Sequence, residues 1–525
     1  MANLADALEA AARLDPEAPA IIFGDRVTTW KAFEERAGGL ARHLVDAGLE
    51  HQSKVAVYLR NGPEHLETVF AVLKAGMIPI NVNYRYGPIE LRYLFDNADV
   101  EAVVFDEAFA PVVKKLRPEM PEVRHWYLVG AAEVSDVTPY ESAVRHRSSE
   151  VEPRRDPDDV MMIYTGGTTG MPKGVMWRQS DLVSMLTRKA RGTPSSPSGG
   201  VPDGPAHSEE VYLIACPLMH GTGLFMALAA LLTGATVVTL TGATFDPREL
   251  CRAISAQRVT AVILVGDAFS RPLLRLLDTD PDAYDISSIR SITSAGAMWS
   301  RDVKEGLLRH NDAMALIDSF GASEVSGLGR SVSTARTIKG TAVFDISEHA
   351  HLVDERGEVI GPESTQPGMV EVGGPLPLGY YKDPEKTSLT FRIIGGQRVA
   401  VTGDWAHYTP DGEMMFLGRG SGCINSGGEK IFPEEVEEAI KLHPDVADAA
   451  VLGVPHELFG QMVVALVEPL EGREIGEPEI VDHVRHQVAG FKVPRQVWFV
   501  SSLERTPSGK LDSERLRSMA DSLLQ

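Results

Sequence analysis

The chain has 525 residues, of which 43% are hydrophobic and 24% charged, and its formal net charge is −22. This length predicts two or more domains, and the negative charge argues against nucleic acid or an anionic membrane surface as a partner. Cys216, Cys251 and Cys423 lack Cys-x-x-Cys spacing, so they indicate neither a zinc site nor a disulfide framework.

The first residues of the chain and its apolar segments indicate where in the cell the protein is expected. Residues 1–19 lack a basic segment followed by an apolar one, so they predict no secretory signal. The longest apolar stretch is 223–240, and Thr233 and Gly234 interrupt it. We therefore predict a cytoplasmic protein without an integral membrane segment; peripheral membrane contact and a homodimer stay open.

Residues 28–105 alternate helix and strand signals. A helix capped by Thr28 or Thr29 is predicted to run through Leu49, and prolines open two further helices, at Pro63 and Pro88. This rhythm predicts a mostly parallel sheet with helices on its faces. The predicted strands are Val55–Leu59, Ile78–Val82 and Ala102–Phe105.

The most informative stretch is 162–175, where an apolar strand ending at Tyr164 leads into glycines, threonines and a lysine. Glycine lets backbone N–H groups converge into an anion-binding nest, and hydroxyls and an ammonium group add donors. It is not a Walker A loop, because Pro172 precedes Lys173 and Gly174 follows it. The predicted triphosphate-binding residues are Thr165, Gly166, Gly167, Thr168, Thr169, Gly170 and Lys173.

This stretch resembles the phosphate loop Tyr-Thr-Ser-Gly-Thr-Thr-Gly-x-Pro-Lys-Gly of the adenylate-forming superfamily, which includes acyl-CoA synthetases, adenylation domains and luciferases. Gly166 stands where that family usually has serine. The resemblance implies ATP, Mg²⁺ and coenzyme A as cofactors. It also implies an α/β fold, with a large N-terminal domain of parallel-rich sheets flanked by helices and a small C-terminal α+β domain.

A second group of candidate residues occupies 318–324. A glutamate is a hard ligand suited to magnesium, a serine can donate to phosphate, and a phenylalanine offers a flat face to a purine. The segment resembles the family's Tyr-Gly-x-Thr-Glu motif, with Phe in place of Tyr and Ser in place of Thr. The predicted site residues are Asp318, Ser319, Phe320, Gly321 and Ser323, with Glu324 as the magnesium ligand.

The acyl pocket is predicted from two other stretches. Residues 294–297 resemble the family's Gly-Gly-Ala stretch, whose backbone lines the adenine and acyl sites, so Gly296 and Ala297 are site candidates. His220 lies within the apolar stretch 218–232 and is predicted to be at the mouth of the pocket. A structural role for this histidine is equally open.

The ribose site and the hinge are predicted from residues 402–422. Asp404, in a Thr-Gly-Asp turn, can accept both hydroxyl groups of a ribose, and the resemblance adds Arg419. Gly-Arg-Gly-Ser-Gly at 418–422 gives the backbone room to swivel. The family's usual hinge residue, Asp or Lys, falls on Ser421, which is the clearest departure from the pattern.

The predicted domains are 1–418, with a hinge at 419–422, and 423–525, a size suited to a small mobile domain. In the small domain, the resemblance assigns Gly427 and Gly428 to the coenzyme A tunnel, and Lys510 to the α-phosphate. Residues 191–209 are predicted to form a surface loop. A tolerated loop without a functional role is favoured over a lid.

Together these motifs predict an ATP-dependent, AMP-forming acyl-CoA synthetase that activates a hydrophobic carboxylic acid. The whole looks like the actinobacterial fatty-acid or steroid side-chain CoA ligases. The alternatives are an aryl or hydroxycinnamate CoA ligase, an enzyme that loads a carrier protein, and a non-catalytic nucleotide sensor. The presence of Glu324, Asp404 and Lys510 argues against the sensor.

Overall fold

The computed structural model describes residues 3–146, 154–167, 170–191, 208–426, 429–456, 460–506 and 509–524. Most of the surface loop predicted at 191–209 lies outside these ranges. So do four predicted site residues, Thr168, Thr169, Gly427 and Gly428.

The helices follow the predicted order closely. Thr29 caps the second helix by accepting a hydrogen bond from the backbone N–H of Ala32, and Pro63 and Pro88 each open a helix. The α-helices of the described chain are α1 Leu4–Ala12, α2 Trp30–Asp46, α3 Pro63–Lys74, α4 Pro88–Asn97, α5 Ala110–Leu116, α6 Tyr140–Val144, α7 Gln179–Arg191, α8 Gly221–Leu232, α9 Pro247–Gln257, α10 Gly266–Thr279, α11 Arg301–His310, α12 Pro384–Thr390, α13 Pro433–Lys441, α14 Glu477–Arg485 and α15 Ser513–Leu524.

The strands belong to four sheets. In chain order they are β1 Pro19–Phe23, β2 Arg26–Thr29, β3 Lys54–Tyr58, β4 Ile78–Asn81, β5 Val100–Asp106, β6 His125–Val129, β7 Thr138–Pro139, β8 Val160–Gly167, β9 Gly170–Arg178, β10 Val211–Ile214, β11 Thr236–Thr239, β12 Ala261–Leu264, β13 Ser291–Ala295, β14 Ala315–Ala322, β15 Val325–Ser333, β16 Val343–Ile346, β17 Ala350–Val353, β18 Val359–Ile360, β19 Gly368–Val372, β20 Gly379–Tyr380, β21 Phe391–Ile394, β22 Gln397–Tyr408, β23 Met414–Arg419, β24 Ile424–Ser426, β25 Glu429–Ile431, β26 Val446–His456, β27 Gly460–Pro469 and β28 Gln496–Phe499.

The predicted βαβ rhythm forms a five-stranded sheet of order β4-β3-β5-β6-β7, in which every pairing is parallel. A 15-stranded sheet contains the second parallel region, with β1, β11, β10, β12, β13 and β14 as parallel neighbours. From β14 to β23 this sheet is antiparallel, because β14 and β15 are joined by a tight turn rather than by a crossover helix.

The glycine-rich stretch differs from its predicted form. The strand does not end at Tyr164 but continues as β8 to Gly167, and it pairs with β9 so that Thr165 faces Lys173. Glycine at 174 lies opposite Tyr164, and a Cβ there would stand 2.7 Å from the tyrosine ring. The prediction of an early strand end was wrong because glycines that permit a turn also permit extended pairing.

The C-terminal residues form a five-stranded sheet of their own, in which β26 and β27 pair along their whole length and β28 joins β27 in parallel. Apolar side chains of this sheet and of α13 and α14 make a separate buried cluster. A bidentate ion pair from Arg505 to Asp448, at 2.5 and 2.8 Å, fixes the chain that precedes the last helix. In the described part of the chain, every helix is too short or too polar to span a bilayer.

Candidate active site

A cavity of about 260 Å³ lies where the ends of β13 and β14 meet the glycine hairpin and α8. Open α/β sheets place ligand sites at the carboxyl ends of their parallel strands, which is where this cavity lies. The predicted site residues that line it are Thr165, His220, Gly296, Ser319, Phe320, Gly321, Ser323 and Lys510.

The register of three neighbouring strands decides which side chains reach the cavity. Ala295, Ser319 and Arg330 lie side by side on β13, β14 and β15, and all three line it. Successive residues of a strand point to opposite faces of the sheet. Their neighbours Ser294 and Asp318 therefore point away from it.

Asp318 does not line the cavity, although the sequence predicted it to be an ATP-binding residue. Its carboxylate is buried and accepts a hydrogen bond from Lys304, Nζ to Oδ2, at 3.3 Å. The ammonium group of Lys304 also lies 5.7 Å from the centroid of the Trp299 ring. Burial raises the pKa of Asp318 to about 6, and Lys304 opposes that rise. These contacts give the Asp318 carboxylate a partner inside the protein, away from the lining of the cavity.

Phe320 belongs to an aromatic cluster on the cavity wall. Its ring stacks against Phe344, with centroids 5.3 Å apart, and lies 4.7 Å from the ring of Phe416. A flat side chain held from behind by two others suits a purine. Gly296 has φ +90°, a conformation that favours glycine, and a Cβ there would stand 3.7 Å from Oγ1 of Thr222.

Glu324 lies in the turn between β14 and β15. The hydroxyl group of Tyr380 donates to its Oε1 at 2.8 Å, while the indole N–H of Trp177 donates to the carbonyl of Ser323 at 3.0 Å. The described residues contain no cluster of three or more potential metal ligands. A single oriented carboxylate still fits Mg²⁺, because this ion is usually held by one or two carboxylates together with substrate phosphates.

Lys173 has a neighbour that the sequence did not predict. Burial lowers the pKa of Lys173 to about 8, and hydrogen bonding and repulsion from Lys386 add to that effect. Lys386 is brought here because β20 pairs with β9, so that the chain leading into α12 runs beside the glycine hairpin. No local signal marks Lys386, because its partner is more than two hundred residues away in the sequence.

The two residues predicted to form the ribose site, Asp404 and Arg419, are hydrogen-bonded to each other. Asp404 on β22 is buried and accepts hydrogen bonds from Thr402 Oγ1 at 2.5 Å and from Arg419 Nε at 3.1 Å. Burial alone would lower the pKa of Arg419, but the carboxylates of Asp404 and Glu324 outweigh it and raise that pKa. Arg419 thus carries its charge between the predicted ribose and metal ligands.

Lys510 reaches the same cavity from the C-terminal region. It keeps an exposed surface because the cavity is open to water there, but protein groups surround its ammonium. Burial lowers the pKa of Lys510, the charge of Arg419 adds to this, and Glu324 and Asp404 oppose it. Gly509 has φ +74°, and a Cβ added there would stand 3.0 Å from Cβ of Ala268.

His220 stands at the start of α8, with its Nε2 buried and without a hydrogen-bond partner. Burial lowers the pKa of His220 to about 4, and the charges of Lys510 and Arg85 add to this. The imidazole is therefore neutral at pH 7. A neutral ring can face an apolar acyl chain at low cost.

The glycines in and beside the predicted hinge also have packing roles. Gly418 has φ +138°, and a Cβ there would stand 2.2 Å from Oε2 of Glu434. An added Cβ at Gly420 would stand 2.8 Å from the indole nitrogen of Trp405. Substitution at either position would therefore disturb the present contact between the hinge and its neighbours.

For the remaining predicted residues the structure gives less. Gly166, Gly167 and Gly170 are described only as backbone of the hairpin, and Ala297 packs half-buried against the main core. The described backbone at Ser421 belongs to a short 3₁₀ turn, Gly420–Gly422.

The fold and the cavity together define an α/β enzyme with a large N-terminal and a small C-terminal domain. The chain belongs to the AMP-binding enzyme family: the AMP-binding enzyme model matches residues 8–381, and the model of the AMP-binding enzyme C-terminal domain matches residues 435–510. The predicted family and fold class are thereby confirmed.

Among named relatives, the chain is 39% identical to a medium/long-chain-fatty-acid–CoA/3-oxocholest-4-en-26-oate–CoA ligase of Mycolicibacterium smegmatis, over 97% of this chain and 95% of the relative. It is 38% identical to a 3-oxocholest-4-en-26-oate–CoA ligase of Rhodococcus rhodochrous, over 97% and 94%. A crystal structure of the anthranilate CoA ligase AuaEII with anthranoyl-AMP shares the fold, with a TM-score of 0.87, 22% identity, and 99% and 97% coverage.

Proposed function

We propose that this protein is an ATP-dependent, AMP-forming acyl-CoA synthetase for hydrophobic carboxylic acids, of the fatty-acid or steroid side-chain type. The observation that carries the proposal is one cavity in which Lys510 and the glycine hairpin meet apolar walls from α8, including Phe225 and Met226. Relatives named for fatty-acid and steroid-acid CoA ligation support the same substrate class.

The reaction has two steps. One oxygen of the carboxylate attacks the α-phosphorus of ATP, the bond to the β-phosphate oxygen breaks, and acyl-adenylate and pyrophosphate form. The thiol of coenzyme A then attacks the acyl carbon, loses its proton, and displaces AMP. The site must stabilise negative charge on phosphate oxygens in the first step, which is the task of fixed donors and cations.

The residues take the following roles in this proposal. Lys173, with Lys386 beside it, faces the departing pyrophosphate, and Lys510 faces the transferred α-phosphate. Asp404 accepts hydrogen bonds from the ribose. Glu324 would hold Mg²⁺, which would neutralise charge on the triphosphate. Phe320 supports the adenine.

The proposed domain boundaries follow from the same mechanism. Residues 1–418 bind ATP and the acid, 419–422 form the hinge, and 423–525 turn to bring Gly427 and Gly428 to the thiol path. The separate sheet β24–β28 supports a unit that can move as one body. A cytoplasmic location and a homodimer stay predictions.

The test is pyrophosphate release with and without coenzyme A, on medium- and long-chain fatty acids, steroid side-chain acids and aromatic acids. Acyl-CoA formation from fatty or steroid acids is the expected result. Thioester formation from aromatic acids alone would favour the aryl ligase. Nucleotide binding without any pyrophosphate release would favour the sensor.

A further inference from the structure

The hairpin formed by β21 and β22 ends in an exposed tip. Ile394 and Gln397 face each other across a two-residue turn, and Gly395 and Gly396 have φ +58° and +81°, as a tight hairpin turn requires. A Cβ added at either glycine would meet no atom of the described chain within 4 Å. Residues 392–397 are all exposed, so the tip projects from the surface of the protein.

Large apolar side chains surround this tip. Leu389, Ile393 and Ile394 are exposed by 59%, 69% and 39%. Successive residues of a strand point to opposite faces, so the two isoleucines make both faces of the hairpin tip apolar. Exposed apolar residues are common when they are scattered singly, but three of them at one projecting tip indicate a contact surface.

The same hairpin belongs to a basic segment of an acidic chain. The whole chain has a net charge of −22, but residues 386–398 contain Lys386, Arg392 and Arg398 and no Asp or Glu. Nε of Arg392 donates to the backbone carbonyl of Leu389 at 2.9 Å, so this guanidinium group lies beside one of the exposed apolar residues. Positive charge and exposed apolar surface therefore occur together here.

Arg398 marks the base of the hairpin. Its guanidinium group donates to the carbonyls of residues 377 and 378 at 2.6 and 3.0 Å, and it lies 4.9 Å from the centroid of the Phe391 ring. Burial lowers the pKa of Arg398, and the charge of the neighbouring Arg178 adds to this. Nε of Arg178 in turn lies 3.8 Å from the exposed Asp158. Together, the arginines at 178, 392 and 398 form a basic collar behind the apolar tip.

An apolar tip in front of a basic collar fits a bilayer surface with anionic headgroups. Lipid phosphates accept hydrogen bonds from arginines, while apolar side chains enter the boundary of the acyl chains, about 5–10 Å deep. Three residues of strand, at about 3.4 Å each, reach that depth. A second copy of this chain fits less well, because a symmetric contact would bring two identical basic collars together.

The net charge of −22 does not oppose this contact at close range. At physiological ionic strength, exposed charges more than about 8 Å apart are largely screened, so the collar outweighs distant carboxylates at the interface. At greater distance the acidic remainder of the protein is repelled by anionic lipid. This repulsion keeps the contact weak and favours the orientation in which the hairpin faces the lipid.

We propose that the β21–β22 hairpin docks the protein reversibly on a phospholipid bilayer that carries anionic headgroups. Ile393 and Ile394 enter the boundary between headgroups and acyl chains, and the basic collar meets the lipid phosphates. Two inserted side chains give a contact that forms and breaks readily, unlike a membrane-spanning helix. This inference goes beyond the proposed function and does not depend on it, because lipid binding is measured without the reaction.

The experiment measures sedimentation of the full-length protein with vesicles of phosphatidylcholine mixed with phosphatidylglycerol, and with vesicles of phosphatidylcholine alone. We expect the wild type to bind the mixed vesicles, and to bind the neutral vesicles more weakly. Replacing both isoleucines, Ile393→Ser with Ile394→Ser, should lower the lipid partition coefficient about 10- to 50-fold. Arg392→Gln should lower it about 5-fold on the mixed vesicles and should have little effect on the neutral ones.

Val359→Ser is the matched control, because Val359 is 67% exposed on β18 of the same sheet and lies outside the hairpin. This variant should bind vesicles as the wild type does. Circular dichroism and thermal unfolding check that each variant is folded. If the double variant does not fold, Ile393→Ser alone and Arg392→Gln decide.

Two results would overturn the proposal. The first is a wild type that stays in solution with both kinds of vesicle, or a loss of binding in Val359→Ser equal to that of the hairpin variants. The second is a dimer that the isoleucine replacements convert into monomers while vesicle binding stays as in the wild type. That outcome would assign the tip to a second copy of the chain.

Discussion

The carboxylate of Glu324 is oriented by the protein itself, because the Tyr380 hydroxyl donates to its Oε1 at 2.8 Å. Tyr380 comes from β20, which pairs with β9 of the glycine hairpin. The predicted metal ligand and the predicted phosphate loop are thus held by neighbouring parts of one sheet. Preorganised groups of this kind stabilise developing charge without having to reorient during the reaction.

At this scale, we expect Glu324→Gln to slow pyrophosphate release about 100-fold and to raise the magnesium concentration needed for half-maximal rate. Glutamine keeps the shape and removes the charge. Tyr380→Phe is the matched control, because it keeps the carboxylate and removes only its orienting hydrogen bond, so its effect should be smaller. A magnesium titration unchanged in Glu324→Gln would remove this residue from the site.

Helix α13 packs its first turn against Gly418, next to the predicted hinge. Glu434, in that turn, lies beside Gly418, and its Oε2 is buried without a hydrogen-bond partner. Burial raises the pKa of Glu434 to about 8, the charges of Glu437 and Asp404 add to this, and backbone N–H groups of Glu434 and Arg419 oppose it. Helix α13 therefore presents the Glu434 carboxyl group to the predicted hinge, and this carboxyl group favours its neutral form.

This pKa predicts a pH dependence of stability. The unfolded carboxyl titrates near 4.5, so between about pH 5 and 8 the folded protein binds a proton that the unfolded chain has lost. Stability from this group is greatest at low pH and falls as pH rises to 8, by up to about 1.4 kcal/mol per pH unit. We expect the midpoint of thermal unfolding of Glu434→Gln to change less with pH between pH 5 and 8 than that of the wild type. Glu435→Gln, which alters a neighbouring carboxylate paired with Lys492, should leave the slope as it is.

The large and the small domain also meet through a polar cluster, away from the predicted hinge. Ser300, ahead of α11, bonds to Asp267 Oδ2 at 2.5 Å and to Glu438 Oε2 of α13 at 3.1 Å. Lys441 pairs with Glu438, and its charge helps to lower the pKa of Asp267 against burial. We expect this cluster to stabilise the orientation in which Lys510 lines the cavity.

We expect Ser300→Ala to loosen that orientation and to slow acyl-adenylate formation several-fold, because the variant loses the hydroxyl group whose one proton can be donated to Asp267 or to Glu438. Thioester formation from preformed acyl-adenylate should be unchanged or faster. Ser287→Ala removes a hydroxyl group that bonds to Asp285 on the surface, and it should change neither step. Equal slowing of both steps in Ser300→Ala would contradict a role in domain orientation.

Lys510 gives the sharpest test of the two-orientation mechanism, since it can serve the α-phosphate only while the small domain is in the present orientation. We expect Lys510→Ala to lower the rate of acyl-adenylate formation by 100-fold or more, about the loss seen when a transition-state donor is removed. Given preformed acyl-adenylate and coenzyme A, the same variant should form the thioester at a near-normal rate. Lys492→Ala, in the same domain, is the control. Comparable losses in both half-reactions would refute the mechanism.

Local sequence determined the elements and the order of the motifs. Thr29, Pro63 and Pro88 start helices because caps and prolines act on their own backbone. The alternating strand and helix signals in residues 28–105 predicted the parallel sheet that forms there. This was possible because the hydrophobic periods of strands and helices can be distinguished within a few residues.

Tertiary structure decided which side chains share the cavity. Asp318 and Ser319 are adjacent in sequence, but only the pairing of β13, β14 and β15 fixes which of them faces the cavity and which meets Lys304. Lys386 reaches Lys173, and Arg330 reaches the apolar wall, through pairings between distant strands. Sheet register is a property of neighbours, and a one-residue slip would turn every such side chain to the other face.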